Sequence, residues 1–250
     1  MDTRVDFLEA AELTGKIEPF DSFWEAPDDI EGGYSKFFKF YKHNYLKYIP
    51  QDKDARILAI SCGPGYFVNL LTELGYRNVL GIDSDPDKVA YGTKRGLNCQ
   101  AARAIPFLQD STEPYDVIFC EQELNHLTKD EILSFLALCR GKLADNGVLI
   151  SHALNGANPI TGAESLAQNF DHYNTFTEYT MRQVLEHMEF SNVRVFPLNL
   201  YVFYKNPLNY VLIVLSAMYT AFFRFSFMMY GKKNRIFTKK IGAAGVKTPG

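Results

Sequence analysis

Two short apolar runs set the pattern of this chain: Ile57-Leu58-Ala59-Ile60, which breaks into Ser61-Cys62-Gly63-Pro64-Gly65, and Val79-Leu80-Gly81-Ile82, which ends on Asp83. Runs of this length bounded by Gly and Pro fit strands buried on both faces. Between them Phe67, Leu70, Leu71 and Leu74 recur at helical spacing, and Gly75 supplies a stop. After Asp83, Asp85 is placed to cap a helix that opens at Pro86 and reaches about Gly96. The alternation continues with a strand over 115–120, a helix to Leu143 and a strand over 148–152. Thr128 and Glu131 form a capping-box pair in front of Ile132, Leu133, Leu136 and Cys139, which fixes the start of the middle helix. Strand and helix in alternation predict an α/β domain on a doubly wound, mostly parallel sheet.

The flanks read differently. Residues 1 to about 30 mix acids, Pro19, Pro27 and Trp24 with little periodicity, and are expected as a loose helix and an irregular strap. Phe37, Phe38, Tyr41, Tyr45 and Tyr48 recur every three or four residues, which predicts an amphipathic lid helix with an aromatic face. The stretch 155–173, rich in Asn, Gly and Pro, is too long for a simple connection, and loops of that length commonly carry function. Thr177 is placed to cap a helix to about Met188, and 193–196 and 200–204 read as two strands that complete the sheet.

From 206 to 223 no charged residue occurs; Arg224 interrupts the apolar stretch near its far end, and Lys232, Lys233, Arg235, Lys239 and Lys240 follow. Such a stretch is barely long enough to span a bilayer. Apolar and aromatic residues beside a cationic run suit an amphipathic helical tail lying in an anionic membrane surface, with contact through 207–240. A helix packed on the domain, or on a second subunit of a homo-oligomer, is the other reading. The chain thus divides into a strap and lid helix over 1–50, an α/β domain over 51–205 and the tail over 206–250.

At 250 residues and 47% hydrophobic content the chain can bury one substantial core. A net charge of -3 leaves no broad cationic footprint, which argues against a nucleic-acid partner. Cys62, Cys99, Cys120 and Cys139 form no C-x-x-C pair and have no metal spacing, so they read as buried thiols in a reducing compartment. The charged start, Met1-Asp2-Thr3-Arg4-Val5-Asp6, lacks the apolar stretch of a signal peptide, and both features point to the cytoplasm.

The chemistry starts at the glycine turn. A buried strand delivers the turn, glycines let backbone approach a ligand, and an acid ending the next strand accepts hydrogen bonds from two ribose hydroxyls. Asp83, about twenty residues after Gly63, stands where that acid is needed.

Taken in order, Cys62-Gly63-Pro64-Gly65, Gly81-Ile82-Asp83, Tyr115-Asp116-Val117-Ile118 and Asp145-Asn146-Gly147-Val148-Leu149-Ile150 resemble the class I S-adenosylmethionine-dependent methyltransferases over roughly 55–195. The resemblance implies a Rossmann-like fold, S-adenosylmethionine as cofactor, and contacts to it from Ser61, Gly63, Gly65, Asp83 and Ser84. Arg103 and Ala104 stand in the segment that faces adenine in relatives, Glu121 at the end of the next strand, and Tyr34 or Tyr41 of the lid helix closes over the cofactor. Three positions depart from the family pattern: Ala59 replaces an acid, Ser61 replaces the first glycine, and Arg103 replaces an aspartate.

On the acceptor side, many relatives read Glu-x-x-Glu-His where this chain has Gln122, Asn125 and His126, and in some the acids and the histidine hold a divalent metal. Amides in place of two anionic ligands lower the affinity for a hard cation, so no essential metal is expected. Methyl transfer to an alcohol needs a base, and histidine suits that task near neutral pH. His172 is the first candidate and His126 the second; His152 is expected at a buried strand end. The segment Asp171-His172-Tyr173-Asn174-Thr175-Phe176-Thr177, with the loop Asn155-Gly156-Ala157-Asn158-Pro159 before it, resembles methyltransferases of bacterial surface-polysaccharide pathways, although Asp171 stands where they have threonine. That resemblance implies O-methylation of a saccharide or surface-glycan precursor at the cytoplasmic membrane face. The alternatives are a small-molecule methyltransferase for quinones or lipids, and a non-catalytic membrane-associated subunit with a vestigial pocket.

Overall fold

The computed structural model describes residues 27–121, 123–167, 172–199 and 208–249. The lid helix α1 (Pro27–Tyr45) runs into a short 3-10 turn and is followed by β1 (Arg56–Ile60), α2 (Tyr66–Glu73), β2 (Asn78–Asp83), α3 (Pro86–Lys94), β3 (Cys99–Ala101), α4 (Ala104–Asp110) and β4 (Tyr115–Glu121). Then come α5 (Lys129–Lys142), β5 (Leu143–Leu154), α6 (Gly162–Ala167), α7 (Glu178–His187), β6 (Phe190–Pro197), α8 (Leu208–Met229) and β7 (Lys240–Lys247). One seven-stranded sheet forms with the order β3-β2-β1-β4-β5-β7-β6. β1, β2, β3, β4 and β5 are parallel, while β7 runs antiparallel to β5 and β6 on either side of it. This is the expected doubly wound, Rossmann-like α/β fold.

Local chemistry fixes the element ends as the pattern requires. Asp85 accepts from the amides of Asp87 and Lys88 ahead of Pro86, and both halves of the Thr128/Glu131 capping box are formed. β1 is buried along Ile57, Leu58, Ala59 and Ile60, so helices cover the sheet on both faces and its carboxyl edge is where a ligand can enter. All four cysteines are buried free thiols.

Two parts depart from expectation. The strand beside β5 comes from the far end of the tail, whereas 200–204, expected there, lies outside the described residues. The α/β domain therefore does not close at 205, and the tail's last strand belongs to its sheet. β7 has the composition of a loop because it is crowded. A Cβ at Gly242 would lie 2.4 Å from the Phe196 ring, and one at Gly245 would lie 2.9 Å from Phe190 Cβ. The second departure is in 155–173, where α6 takes up part of the expected loop.

Candidate active site

β1 delivers the turn at the carboxyl edge. Ser61, Gly63 and Gly65 all have left-handed backbone, with φ of 55°, 52° and 85°, so the serine keeps the conformation of the glycine it replaces. A Cβ built on Gly63 meets nothing within 4 Å, so this backbone faces open space that a ligand can enter. The Gly63 amide donates to Asp83 Oδ2 at 2.7 Å and the Asp85 amide donates to Oδ1 at 2.9 Å. Burial raises the Asp83 carboxyl pKa, and the same two donors pull it back down. A carboxylate pinned beside an open glycine turn fits a nucleoside whose ribose hydroxyls donate to it. Ser84 is exposed next to it, and Ala102 donates its amide to the Asp83 carbonyl at 2.8 Å. That bond brings Arg103, the exposed cap of α4, and Ala104, its first residue, to the same edge.

The lid helix is fastened to this turn. Tyr34 is buried and donates its hydroxyl to the Pro64 carbonyl at 2.6 Å, while the Arg95 guanidinium lies 3.9 Å from its ring centre. Burial pushes the phenol up to about 12. Tyr34 thus locks the lid to the turn that it was expected to close.

Two turns along α1, aromatic rings fill the region beside Ala59. Phe67 and Phe119 stack with centroids 4.0 Å apart, and Tyr41 and Tyr45 meet Phe119 edge-on. Ala59 pairs with Phe119 across β1 and β4, and Glu121, two residues further, falls on the same side of the sheet. The missing acid at position 59 therefore has a carboxylate neighbour one strand over. Tyr41 donates to Glu121 Oε2 at 2.5 Å, His152 Nε2 lies 3.8 Å from Oε1, and Tyr45 bonds His152 Nδ1 at 2.7 Å. Burial, and next the charge of Lys240, holds the His152 pKa well below the usual range, so the ring is neutral.

That neutrality makes stability pH-dependent. Below an unfolded-state pKa of about 6.5 the unfolded chain takes up a proton that the folded ring refuses, so this contribution is lost as pH falls. The loss reaches about 1.4 kcal/mol at pH 5.5, or roughly 3–5 °C in melting temperature. Melting curves between pH 7.5 and 5.5 should show this decline, and His152→Gln should flatten it.

The two candidate bases meet. His126, after β4, and His172, ahead of α7, have ring centroids 4.9 Å apart in an edge-on contact. His172 Nδ1 lies 2.7 Å from the Ser165 carbonyl of α6. A carbonyl only accepts, so Nδ1 carries the hydrogen and Nε2 is left as the basic nitrogen. Asn125 is fully buried and works as a fastener: its Nδ2 donates to the Asn174 carbonyl at 2.6 Å and its Oδ1 accepts from the Leu154 amide at 3.2 Å. The amide at this position thus ties the segment carrying His172 to the end of β5. Gln122 and Asp171 lie outside the described residues.

The Asn155–Pro159 loop also has a mechanical explanation. Asn155 Nδ2 donates to the carbonyls of Ile236 and Thr238, at 3.1 and 2.8 Å, and Asn158 Nδ2 donates to that of Phe237 at 2.7 Å. Sequence reasoning missed this clamp, and it missed the Tyr41–Glu121–His152–Tyr45 chain; two tyrosines four residues apart on one helical face were the available signal for the second.

A glycine turn faced by an acid at the end of the next strand, on a sheet of this order, fits the class of S-adenosylmethionine-dependent methyltransferases. Residues 34–195 match the family model described as a methyltransferase domain, and the chain belongs to that family. It is a methyltransferase, and S-adenosylmethionine is its cofactor. No curated protein sequence matches it. Among solved structures it is similar to a SAM-dependent methyltransferase from Archaeoglobus fulgidus, at 18% identity and a TM-score of 0.61 over 84% of this chain and 94% of that one. It is similar to the plantazolicin methyltransferase BamL, solved with a triazolic desmethylPZN analog and SAH, at 16% identity and a TM-score of 0.55 over 99% and 100% of the chains. Haemonchus contortus phosphoethanolamine N-methyltransferase 2 matches at 13% identity and a TM-score of 0.55 over 93% of this chain and 61% of that one.

Proposed function

We propose that the protein is an O-methyltransferase acting on a saccharide or surface-glycan precursor at the cytoplasmic face of a membrane. The observation that supports transfer to a hydroxyl is the meeting of His126 and His172 at the carboxyl edge, with one tautomer of His172 fixed by the Ser165 carbonyl. S-adenosylmethionine supplies an electrophilic methyl group on a sulfonium, so what the chain must add is alignment of a hydroxyl and removal of its proton. His172 Nε2 accepts the proton, and His126 orients the imidazole from its edge. Asp83 holds the ribose and Gly63 presents backbone beside it. Glu121 takes over the task of the acid missing at position 59, giving the cofactor's ammonium a carboxylate that Tyr41 already orients.

This assignment predicts that Glu121→Gln weakens S-adenosylmethionine binding about 10- to 100-fold, the loss of a charge-assisted hydrogen bond worth about 1.5–3 kcal/mol. Calorimetric titration measures it, and an unchanged affinity removes Glu121 from the cofactor site. The acceptor is tested by transfer of a labelled methyl group to soluble sugar nucleotides, lipid-linked saccharides and quinones. Transfer to the saccharides supports the reading; transfer to quinones alone, or cofactor binding with no transfer to any of the three, overturns it.

A further inference from the structure

α8 is largely apolar and, apart from Phe223 and Phe227 near its far end, uncovered: Tyr210, Val214, Met218, Phe222, Phe225 and Met229 are each more than half exposed. A helix apolar all round needs a cover, and so large an exposed apolar surface marks an interaction site. Charge says what kind of cover. No Asp or Glu follows Glu189, whereas nine Lys and Arg do, four of them in the return from α8 to β7.

Connectivity says how the cover is approached. The chain leaves β6 at its carboxyl end and returns from α8 to the start of β7, which is antiparallel, so the end of β6 and the start of β7 both lie at the edge that carries the active site. The far end of α8 is fastened there. Phe223 and Phe227 pack on Phe237, Arg224 Nε donates to the Arg235 carbonyl at 2.8 Å, and Glu178 accepts from the amides of Arg235 and Ile236. The near end is only eight residues from Asn199, whose amide donates to Asn44 Oδ1 of the lid helix. A 22-residue helix is about 33 Å long. Were it to cross a bilayer, those eight residues would have to recross it with backbone groups unsatisfied in hydrocarbon, which bilayers do not tolerate. The turn after α8 lines an open cavity of about 520 Å³, with Lys232, Lys233 and Asn234 on one side and Gly156, Thr177 and Tyr179 on the other.

Resting on the membrane-face reading above, we propose that α8 lies in the plane of an anionic leaflet without crossing it, and that the cavity at Lys232 and Lys233 takes a lipid phosphate headgroup. This seating turns the edge with His126 and His172 toward the leaflet and makes the acceptor a lipid-borne one.

The test is co-sedimentation of the full-length protein with vesicles of phosphatidylcholine alone and with 30% phosphatidylglycerol. Wild type is expected to favour the anionic vesicles, and Lys232→Gln/Lys233→Gln to lose roughly 30-fold in partitioning, since each surface lysine contributes about fivefold. Calorimetric S-adenosylmethionine binding by the variant should be unchanged, which shows that the domain is folded. Leu208→Cys and Tyr230→Cys, at the two ends of α8, should both react with an impermeant maleimide added outside the vesicles; the native thiols are buried. Equal binding to both vesicle types, or full partitioning of the lysine variant, overturns the headgroup site and leaves the membrane reading standing. Protection of one helix end overturns the in-plane seating, and no binding to either vesicle by wild type overturns both this proposal and the membrane reading.

Discussion

Asp83→Ala should leave S-adenosylmethionine binding nearly undetectable at a concentration that just saturates the wild type. Both carboxylate oxygens of Asp83 are already oriented by backbone amides, from Gly63 at 2.7 Å and Asp85 at 2.9 Å. Their remaining lone pairs are what a ribose diol needs. Two charge-assisted hydrogen bonds at about 1.5–3 kcal/mol each make the loss in affinity at least about 100-fold. The substitution also frees the Gly63 amide from the contact that helps hold the turn. The expected fall in stability is smaller, about 1–2 kcal/mol for two amides that water can still reach, and a melting curve separates it from the loss of binding. Calorimetric titration with the cofactor and its demethylated product is the measurement. Binding within tenfold of wild type would mean that the ribose is held elsewhere.

The residues of this turn were legible in the sequence because the physics there is local. A strand ending in a left-handed turn needs glycines, and an acid ending the next parallel strand falls beside the turn whatever the rest of the chain does. The capped starts of α3, α5 and α7 were legible for the same reason: Asp85, Thr128 and Thr177 bond amides two or three residues away. What failed to show was what depends on distant contacts. β7 reads as loop because the need for small residues is set by Phe190 and Phe196, roughly fifty residues earlier in the chain. β3 and α4 are too short for a period to emerge. Glu121 and His152 are joined to the lid helix across 80 and 107 residues, and no pattern along the chain encodes that pairing. Asn125 shows the opposite hazard. Judged as a position in a metal-binding pattern it was a lost ligand, whereas its burial and three-way bonding make it the pin that brings His172 to His126.

His172→Ala should lower kcat about 10²- to 10³-fold while leaving cofactor affinity unchanged, the size expected for removing a positioned base. The chain supplies the reason that the effect belongs to His172: its Nδ1 is committed to the Ser165 carbonyl at 2.7 Å, which puts the ring's lone pair on Nε2. His126 touches it edge-on with centroids 4.9 Å apart. Two imidazoles in contact, one with its tautomer fixed, form an arrangement in which the two side chains act as a unit. The double variant His126→Ala/His172→Ala should therefore be no slower than the worse single variant, because effects within such a unit do not add. The pH profile of kcat/KM separates the roles. With His126→Asn, the acidic limb should move to lower or higher pH while kcat at its optimum falls less than tenfold, as for a positioning residue. With His172→Asn that limb should disappear, leaving a slow, pH-insensitive rate, and a limb that survives intact would hand the base to His126.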